Sequence, residues 1–395
     1  MSMVLTQLTN AYDKALSAYE SLIDCEHSFE NHDLFGDGTN EIAFGDNIHY
    51  MLHLLNNRNM AGRLQLVYID PPFFTKEKYM STIKLHSDVL GDSPVIKVGA
   101  YDDYSKGNLE DYLSELALRL MVIRELLSDS GLVWVHLDRR VTHYIRLIMD
   151  MIYGQDNFVN EIIWNYKSGG ASSRSFARKH DNILVYSKTS RYKFNPLKEK
   201  SYNRGFKPYH FKGVQEFKDE IGWYTMVNMK DVWQLDMVGR TSAERQGYAT
   251  QKPESLMERI IISCSDEGDI CADFYGGSGT FAATCQKLRR RWLTCDNNPA
   301  SVAGQVARIA NISGQFKVVK DGVWPEGVVT ISNGDVVDYK ASLDEVKSNN
   351  IDVLEEYMRD DGKSFLRLVR HVYDANKSYI CGYDFLGNWF KKGVD

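Results

Sequence analysis

The sequence predicts an α/β protein built on a doubly wound, mostly parallel sheet, and three observations carry that expectation. Strand-like apolar runs alternate with stretches of helical periodicity along the chain. The run Leu66 to Ile69, β-branched and aromatic, ends abruptly at Asp70-Pro71-Pro72. A tight glycine cluster, Gly276-Gly277-Ser278-Gly279, stands between a strand pattern and a helix pattern.

Taken in order, residues 3–24 place Leu5, Leu8, Tyr12, Leu16, Tyr19 and Ile23 at helical spacing, which predicts a helix with a packing or dimer-contact role. Glu41 to Phe44 reads as a strand broken by Gly45-Asp46-Asn47, and Ile48, Met51, Leu52 and Leu55 then share one face of a helix. The next strand, over 66–73, must stop at its prolines, which have no N–H to donate, so Asp70 is exposed at the carboxyl edge. In open α/β sheets ligands bind at that edge. An acid, a rigid turn and two aromatic rings could hold a flat, amine-bearing heterocycle; a plain strand-ending turn has the same look.

Residues 75–108 are polar and aperiodic, which predicts a long loop acting as a lid or flap. A helix over 109–128 carries Leu113, Leu116, Leu120, Ile123 and Leu127. Gly131 to Asp138 reads as a buried strand ending in an acid, followed by a helix over 141–152 and strands near 158–164 and 182–187. His136 and Asp138 are expected to be a structural strand-end pair, and Arg289-Arg290-Arg291 a solvated helix end. From 190 to 248 basic and aromatic residues interleave without regular period, which suggests a separate recognition module using phosphate contacts and stacking. Alternation then returns: a helix opened by Lys252-Pro253 to about 265, a strand over 269–274, the glycine turn and its helix, a strand over 292–295 ending at Asp296, and a helix over 299–310. Residues 330–395 show an acidic helical stretch (Leu343, Val346, Ile351, Leu354, Tyr357) and an aromatic tail from Tyr383 to Phe390, expected to pack or pair with a partner.

Composition narrows the class. No run approaches the roughly 18 apolar residues of a membrane span, and no basic-then-apolar leader opens the chain. Six cysteines without a Cys-x-x-Cys pair argue against a zinc site or a disulfide framework, so no metal is expected and the default is a reduced, cytoplasmic protein. The net charge of −6 hides an asymmetry: residues 1–60 hold nine acids against two bases, whereas residues 161–215 hold twelve bases against three acids. A basic segment on an acidic chain suits a polyanion, and a solvated charged loop would look alike. The glycines are packed closer than in the dinucleotide pattern, which favours a nucleoside ligand without a pyrophosphate. An acid about twenty residues further on suits a ribose diol; ordinary tight turns share the glycine pattern.

Five motifs together carry a resemblance. Asp273-Phe274-Tyr275-Gly276-Gly277-Ser278-Gly279-Thr280 resembles the S-adenosylmethionine loop of DNA amino-methyltransferases, and Asp70-Pro71-Pro72-Phe73 resembles their catalytic tetrapeptide. Thr250-Gln251-Lys252-Pro253, Val135-His136-Leu137-Asp138 and the run from Arg178 to Lys188 are similar to further motifs of that family. The order, with the catalytic motif first and the cofactor loop last, is similar to the β class, as in modification subunits of type III restriction systems. The resemblance covers roughly residues 40–190 and 248–312. Tyr275-Gly276-Gly277 departs from the commoner Phe-Ala-Gly or Phe-Gly-Gly.

What the resemblance implies is a Rossmann-like methyltransferase sheet with an inserted recognition region and a C-terminal extension. The corresponding divisions are a helical segment 1–34, a target-base half 35–190, a recognition region 191–248, a cofactor half 249–330 and the extension 331–395. S-adenosyl-L-methionine is the implied cofactor, with Asp46 at its adenine amine, Asp296 at its ribose and Lys252, Asp273, Phe274, Gly276, Gly277, Gly279 and Thr280 around its remainder. Asp70 and the Pro71 carbonyl would accept from a target amine, Pro72 would stiffen the turn, and Phe73 would stack on the flipped base. Lys167, Arg174, Arg178, Lys179, Arg191 and Lys193 would meet DNA phosphates. An initial Asp is more usual for adenine N6 and Ser for cytosine N4, so adenine is expected. Cytosine N4, an RNA substrate and a non-catalytic DNA-binding subunit stay open. The implied partners are double-stranded DNA, a second copy in a homodimer, and a restriction or other modification-complex subunit, in a prokaryotic cytosol.

Overall fold

The protein's structure is a computed structural model that describes residues 3–35, 40–74, 78–84, 95–102, 108–167, 173–239, 241–245, 248, 250–310, 312, 315–321, 330–332, 335–337, 368–374, 377–383 and 389–393. Among these, ten strands form the main sheet: β1 (Phe29–Phe35), β2 (Asn40–Phe44), β3 (Leu64–Ile69), β4 (Leu127–Leu137), β5 (Phe158–Asn165), β6 (His180–Ser187), β7 (Val232–Gln234), β8 (Ile270–Asp273), β9 (Arg291–Asp296) and β10 (Phe316–Asp321). Their spatial order is β1-β10-β2-β9-β8-β3-β4-β6-β5-β7. The run from β10 to β4 is parallel throughout. β1 is antiparallel at one end, and β6 runs antiparallel between β4 and β5.

Both faces of this sheet are covered, which is why its central strands read as unbroken apolar runs. β3 is buried along its whole length. Its alternate residues part to opposite sides: Val67 and Ile69 pack with α1 (Met3–Leu22), α2 (Asn47–Asn56), α3 (Leu109–Leu126) and α4 (Thr142–Tyr153), and Leu66 and Tyr68 with α5 (Glu254–Cys264), α6 (Thr280–Lys287) and α7 (Pro299–Ala310). Local signals set the ends. An Asn108/Asp111 capping box starts α3, Asp46 caps α2, and Pro253 stands at the N-cap of α5.

One stretch differs from the sequence expectation, and the structure adds detail in two others. Within 75–108, read as a loop, strands Lys78–Lys84 and Val95–Asp102 pair as an antiparallel hairpin. These strands, of seven and eight residues, pair with each other and not with the main sheet, and neither carries a strict apolar–polar alternation. In the 190–248 region, Lys198–Tyr202, Glu216–Lys218 and Trp223–Asn228 form a three-stranded antiparallel sheet before β7 joins the main sheet. Cross-strand ring contacts, Tyr202 to Tyr224 and Phe217 to Tyr224 at 5.6 Å each, tie these strands where alternating polarity does not. The acidic helical stretch around 343–357 lies outside the described residues. Part of the aromatic tail falls in a second small antiparallel sheet, Leu368–Asp374, Lys377–Tyr383 and Trp389–Gly393.

One buried charge pins the end of the sheet that leads to the site. Glu41 on β2 is fully buried and accepts from Tyr50 Oη at 2.6 Å, with Arg58 at 3.0 Å and Lys317 at 2.9 Å. Burial pushes this carboxyl up, but Tyr50, Lys317 and Arg58 together hold it below its ordinary value. Its stabilising contribution is therefore present at neutral pH and lost as pH falls through the carboxylate range. Glu41→Ala is expected to cost about 3 kcal/mol in urea denaturation at pH 7, the low end for breaking a buried pair because half-exposed Arg58 can turn to water. The gap from wild type should narrow below a pH of about 4.

Candidate active site

Four neighbouring parallel strands deliver four acids to one edge. Asp296 ends β9, Asp273 ends β8, Asp70 follows β3 and Asp46 follows β2. All four line one cavity of about 570 Å³, together with Pro71, Pro72, Phe74, Tyr248, Lys252 and the glycine turn.

The glycine turn is shaped for close approach. Gly277 (φ 48°) and Gly279 (φ 70°) are left-handed, and a Cβ on Gly276 would strike Thr294 Oγ1 and the Gln305 amide. The Gly277 N–H donates to Asp296 Oδ2 at 2.8 Å, and Asn298 N–H to its other oxygen at 2.8 Å. Burial pushes the Asp296 carboxyl up to about 6 against these hydrogen bonds. At Asp273 burial dominates, with Asp70 and Asp296 adding to it, and despite the Tyr275 N–H at 2.9 Å the carboxyl rises to about 8.

At the other wall Asp46 accepts from Ile48 N–H at 2.8 Å. Asn47 Nδ2 donates to the Phe274 carbonyl at 3.0 Å, and Arg119 Nε to Asn47 Oδ1 at 2.7 Å, so α2, α3 and the glycine turn are one unit. Tyr275, where Phe is commoner, is partly buried with its hydroxyl in reach of Asn47 and Arg119. That polar niche is what admits the tyrosine.

Asp70, Pro71 and Pro72 of the tetrapeptide line the cavity, whereas Phe73 is not among its lining residues. Asp70 Oδ2 is ion-paired with Lys252 Nζ, while Oδ1 is buried without a hydrogen-bond partner among the described residues. Tyr112 Oη donates to the Pro72 carbonyl at 2.8 Å. The Phe73 ring stacks at 5.9 Å on His136 and lies 5.5 Å from Lys252 Nζ. Phe74, to which the sequence reading gave no role, has φ 56°, packs on Tyr112 and lines the cavity.

Comparison with known proteins decides the family: the pattern of the DNA methylase family (N6_N4_Mtase) matches residues 64–306, more than half of the chain. The chain belongs to the DNA methylase family. It is 29% identical over 173 residues to the type II methyltransferase M.HpaI of Haemophilus parainfluenzae, covering 44% of this chain and 51% of that protein. It is 27% identical over 173 residues to the StyLTI Mod subunit, a type III restriction-modification enzyme of Salmonella typhimurium, covering 41% of this chain and 26% of that one. The chain thus spans about half of the first relative and a quarter of the second. Among solved structures, the PvuII DNA methyltransferase (cytosine-N4-specific) superposes with TM-score 0.45 at 15% identity, over 69% of this chain and 89% of that one.

S-adenosylmethionine is the methyl donor of the DNA methylase family, and the residues present fit it. The left-handed glycine turn lines the cavity, and the Asp296 carboxylate beside it offers an acceptor of the kind a ribose diol needs. Of the other expected donor contacts, Thr280 is buried and its Oγ1 accepts from Arg308 Nη1 at 2.8 Å. Phe274 is buried against Tyr50 at 6.3 Å.

His136 and Asp138 are not the pair that the sequence suggested. His136 is held by Tyr68 Oη at 2.9 Å and Asp181 at 3.2 Å, whereas Asp138 caps the turn into α4 through Arg140. Strand β6 brings Asp181 beside His136, a pairing that chain proximity does not reveal. The basic residues also divide. Lys167, Arg174, Arg178 and Lys179 lie in the β5–β6 connection at the carboxyl edge, where Lys179 Nζ donates to the Lys167 carbonyl at 2.8 Å. Arg191 and Lys193 do not join them. They follow β6, whose antiparallel run returns the chain to the opposite edge, and there pair with Asp129 (3.3 Å) and with Asp266 and Asp269 (2.5 and 3.1 Å). Sequence reasoning missed Arg119, Tyr112 and Tyr248. An arginine inside the apolar helix α3 was the available signal for Arg119; Tyr248 left none.

Because the Asp273 value rises on folding, its ionisation opposes the folded state as pH climbs from about 4 toward 8. Asp273→Asn should therefore flatten the loss of stability across that window, a loss bounded at about 1.4 kcal/mol per pH unit. Thermal melts of both proteins at pH 5 and pH 8 check it.

Proposed function

We propose that this protein methylates the N6 amine of adenine in duplex DNA, on a nucleotide swung out of the stack. The observation that carries the reading is Asp70 Oδ1: a buried acceptor without a partner, at the end of a proline-stiffened strand, in the same cavity as the glycine turn. A buried carboxylate oxygen left unpaired is costly unless a donor comes to it.

An exocyclic amine on an aromatic ring is a poor nucleophile because its lone pair is delocalised. Two fixed acceptors, Asp70 Oδ1 and the Pro71 carbonyl, would take its two N–H bonds and localise the lone pair on nitrogen. Their benefit grows as positive charge develops there, so they act on the transition state more than on the bound base. A carboxylate is too weak to strip the amine proton outright, and Asp70 stabilises charge without acting as a strong base. The donor, when bound, supplies an electrophilic methyl group on a sulfonium. Phe73 offers its ring to the base, partly offsetting lost stacking. Lys167, Arg174, Arg178 and Lys179 meet phosphates at the same edge, and the small sheet spanning 198–228, with exposed Phe206, Tyr209 and Phe211, reads the sequence.

Asp70→Ala should keep donor binding by calorimetry and lower methyl transfer by about 10²-fold or more. Sequencing DNA from a methylation-free host expressing the wild type maps the target site. Mass spectrometry of the digested nucleosides should show N6-methyladenine; N4-methylcytosine would replace this reading with the cytosine one. Arg178→Ala should weaken binding to all duplexes alike and reduce the salt slope by about 1.

A further inference from the structure

Lys252 stands beside two groups that the methylation reading assigns to the target base, the Asp70 carboxylate and the Phe73 ring, on Oδ2 and not on the unpaired Oδ1. Lys252 Nζ donates to Asp70 Oδ2 and lies 5.5 Å from the Phe73 ring centroid. Both side chains are largely withdrawn from water, with exposures of 10% and 19%. The backbone around Lys252 is anchored. Gln251 Nε2 donates to the Glu244 carbonyl at 2.5 Å, Glu254 N–H to the Glu244 carboxylate at 3.0 Å, and Pro253 begins α5. An ammonium therefore stands within the space that a base bonded to Asp70 and laid on Phe73 would need.

A neutral aromatic amine is a poor competitor for that place. Charge-assisted hydrogen bonds are about twice as strong as neutral ones, and a buried lysine stripped of its counter-ion is costly. Lys252 leaves Asp70 only if the cavity offers its ammonium another acceptor. The neighbouring carboxyl groups already carry partners or a proton. Asp181 is engaged by His136 and Tyr166, Asp296 by two backbone N–H groups, and Asp273, raised to about 8 by burial, is mostly neutral at pH 7. The methyl donor, bound in this cavity, would add a carboxylate of its own.

We propose that Lys252 is the gate of the target-base subsite: it stands between Asp70 and Phe73 in the ligand-free enzyme and yields that space only when the donor's amino-acid carboxylate draws its ammonium away. The proposal rests on the methyl-transfer reading above. It makes Lys252 a positioning residue that imposes an order, donor before base, so that the duplex is not held open without a methyl group in place. No bond is made or broken in this step.

The test uses the mapped duplex with 2-aminopurine at the target adenine, which brightens on leaving the stack. Wild type should brighten about tenfold with S-adenosylhomocysteine, which has the carboxylate. It should stay dark with no ligand or with 5′-methylthioadenosine, which lacks the amino-acid part. Lys252→Met should brighten without any ligand, and Lys252→Arg should keep the wild-type pattern; Lys252→Gln replaces the Met variant if melting shows that it does not fold. Unchanged ligand dependence in the uncharged variant overturns the gate, as does equal opening by 5′-methylthioadenosine. If wild type methylates the duplex yet never brightens it with S-adenosylhomocysteine, base extrusion itself fails and the gate goes with it. If it methylates no duplex at all, the methylation reading fails first.

Discussion

Parallel register is the constraint on which the rest of this structure depends. Strands β2, β9, β8 and β3 are neighbours and all run the same way, so whatever follows each of them emerges at one edge. Each is followed or ended by an acid. Four carboxyl groups separated by up to 250 residues of chain thus line one cavity, which local structure alone could not have gathered.

Such a concentration of acid in a partly dry space is not tolerated as four bare charges, and the site shows how the load is spread. Asp46 caps a helix, and Asp296 takes two backbone N–H groups. Asp273 rises to about 8 and carries its proton near neutrality, and Asp70 takes the ammonium of Lys252. These are four separate solutions to one electrostatic problem. Among the described residues only the last leaves a buried oxygen, Asp70 Oδ1, without a hydrogen-bond partner, and that asymmetry singles out Asp70 among the four acids.

Much of the fold was legible because its signals are local. A proline pair stops β3 wherever it stands, α3 announces itself by apolar spacing and a capping box, and Pro253 marks the start of α5. The glycine turn and Asp296 were legible for the same reason, since a left-handed turn and a strand-ending acid are short-range requirements. The hairpin at 78–102 and the sheet at 198–228 were not: their strands are held by each other and carry little periodicity of their own. Basic character was legible as a count over residues 161–215. That count could not say that Arg191 and Lys193 leave the catalytic edge while Arg178 and Lys179, in the β5–β6 connection, stay on it.

By itself the sequence determined the sheet class, the acid–proline–proline stop, the glycine turn with its downstream acid and, through five motifs in order, the family. Each of these is written in contiguous residues whose backbone preferences act over a few positions. Only the tertiary structure decided who partners whom: His136 with Asp181 and not Asp138, Tyr275 with Asn47 and Arg119, and Lys252 with Asp70. Those pairings are set by strand order and by burial, and burial raises the cost of every unpaired charge until the chain finds a partner from far along its length.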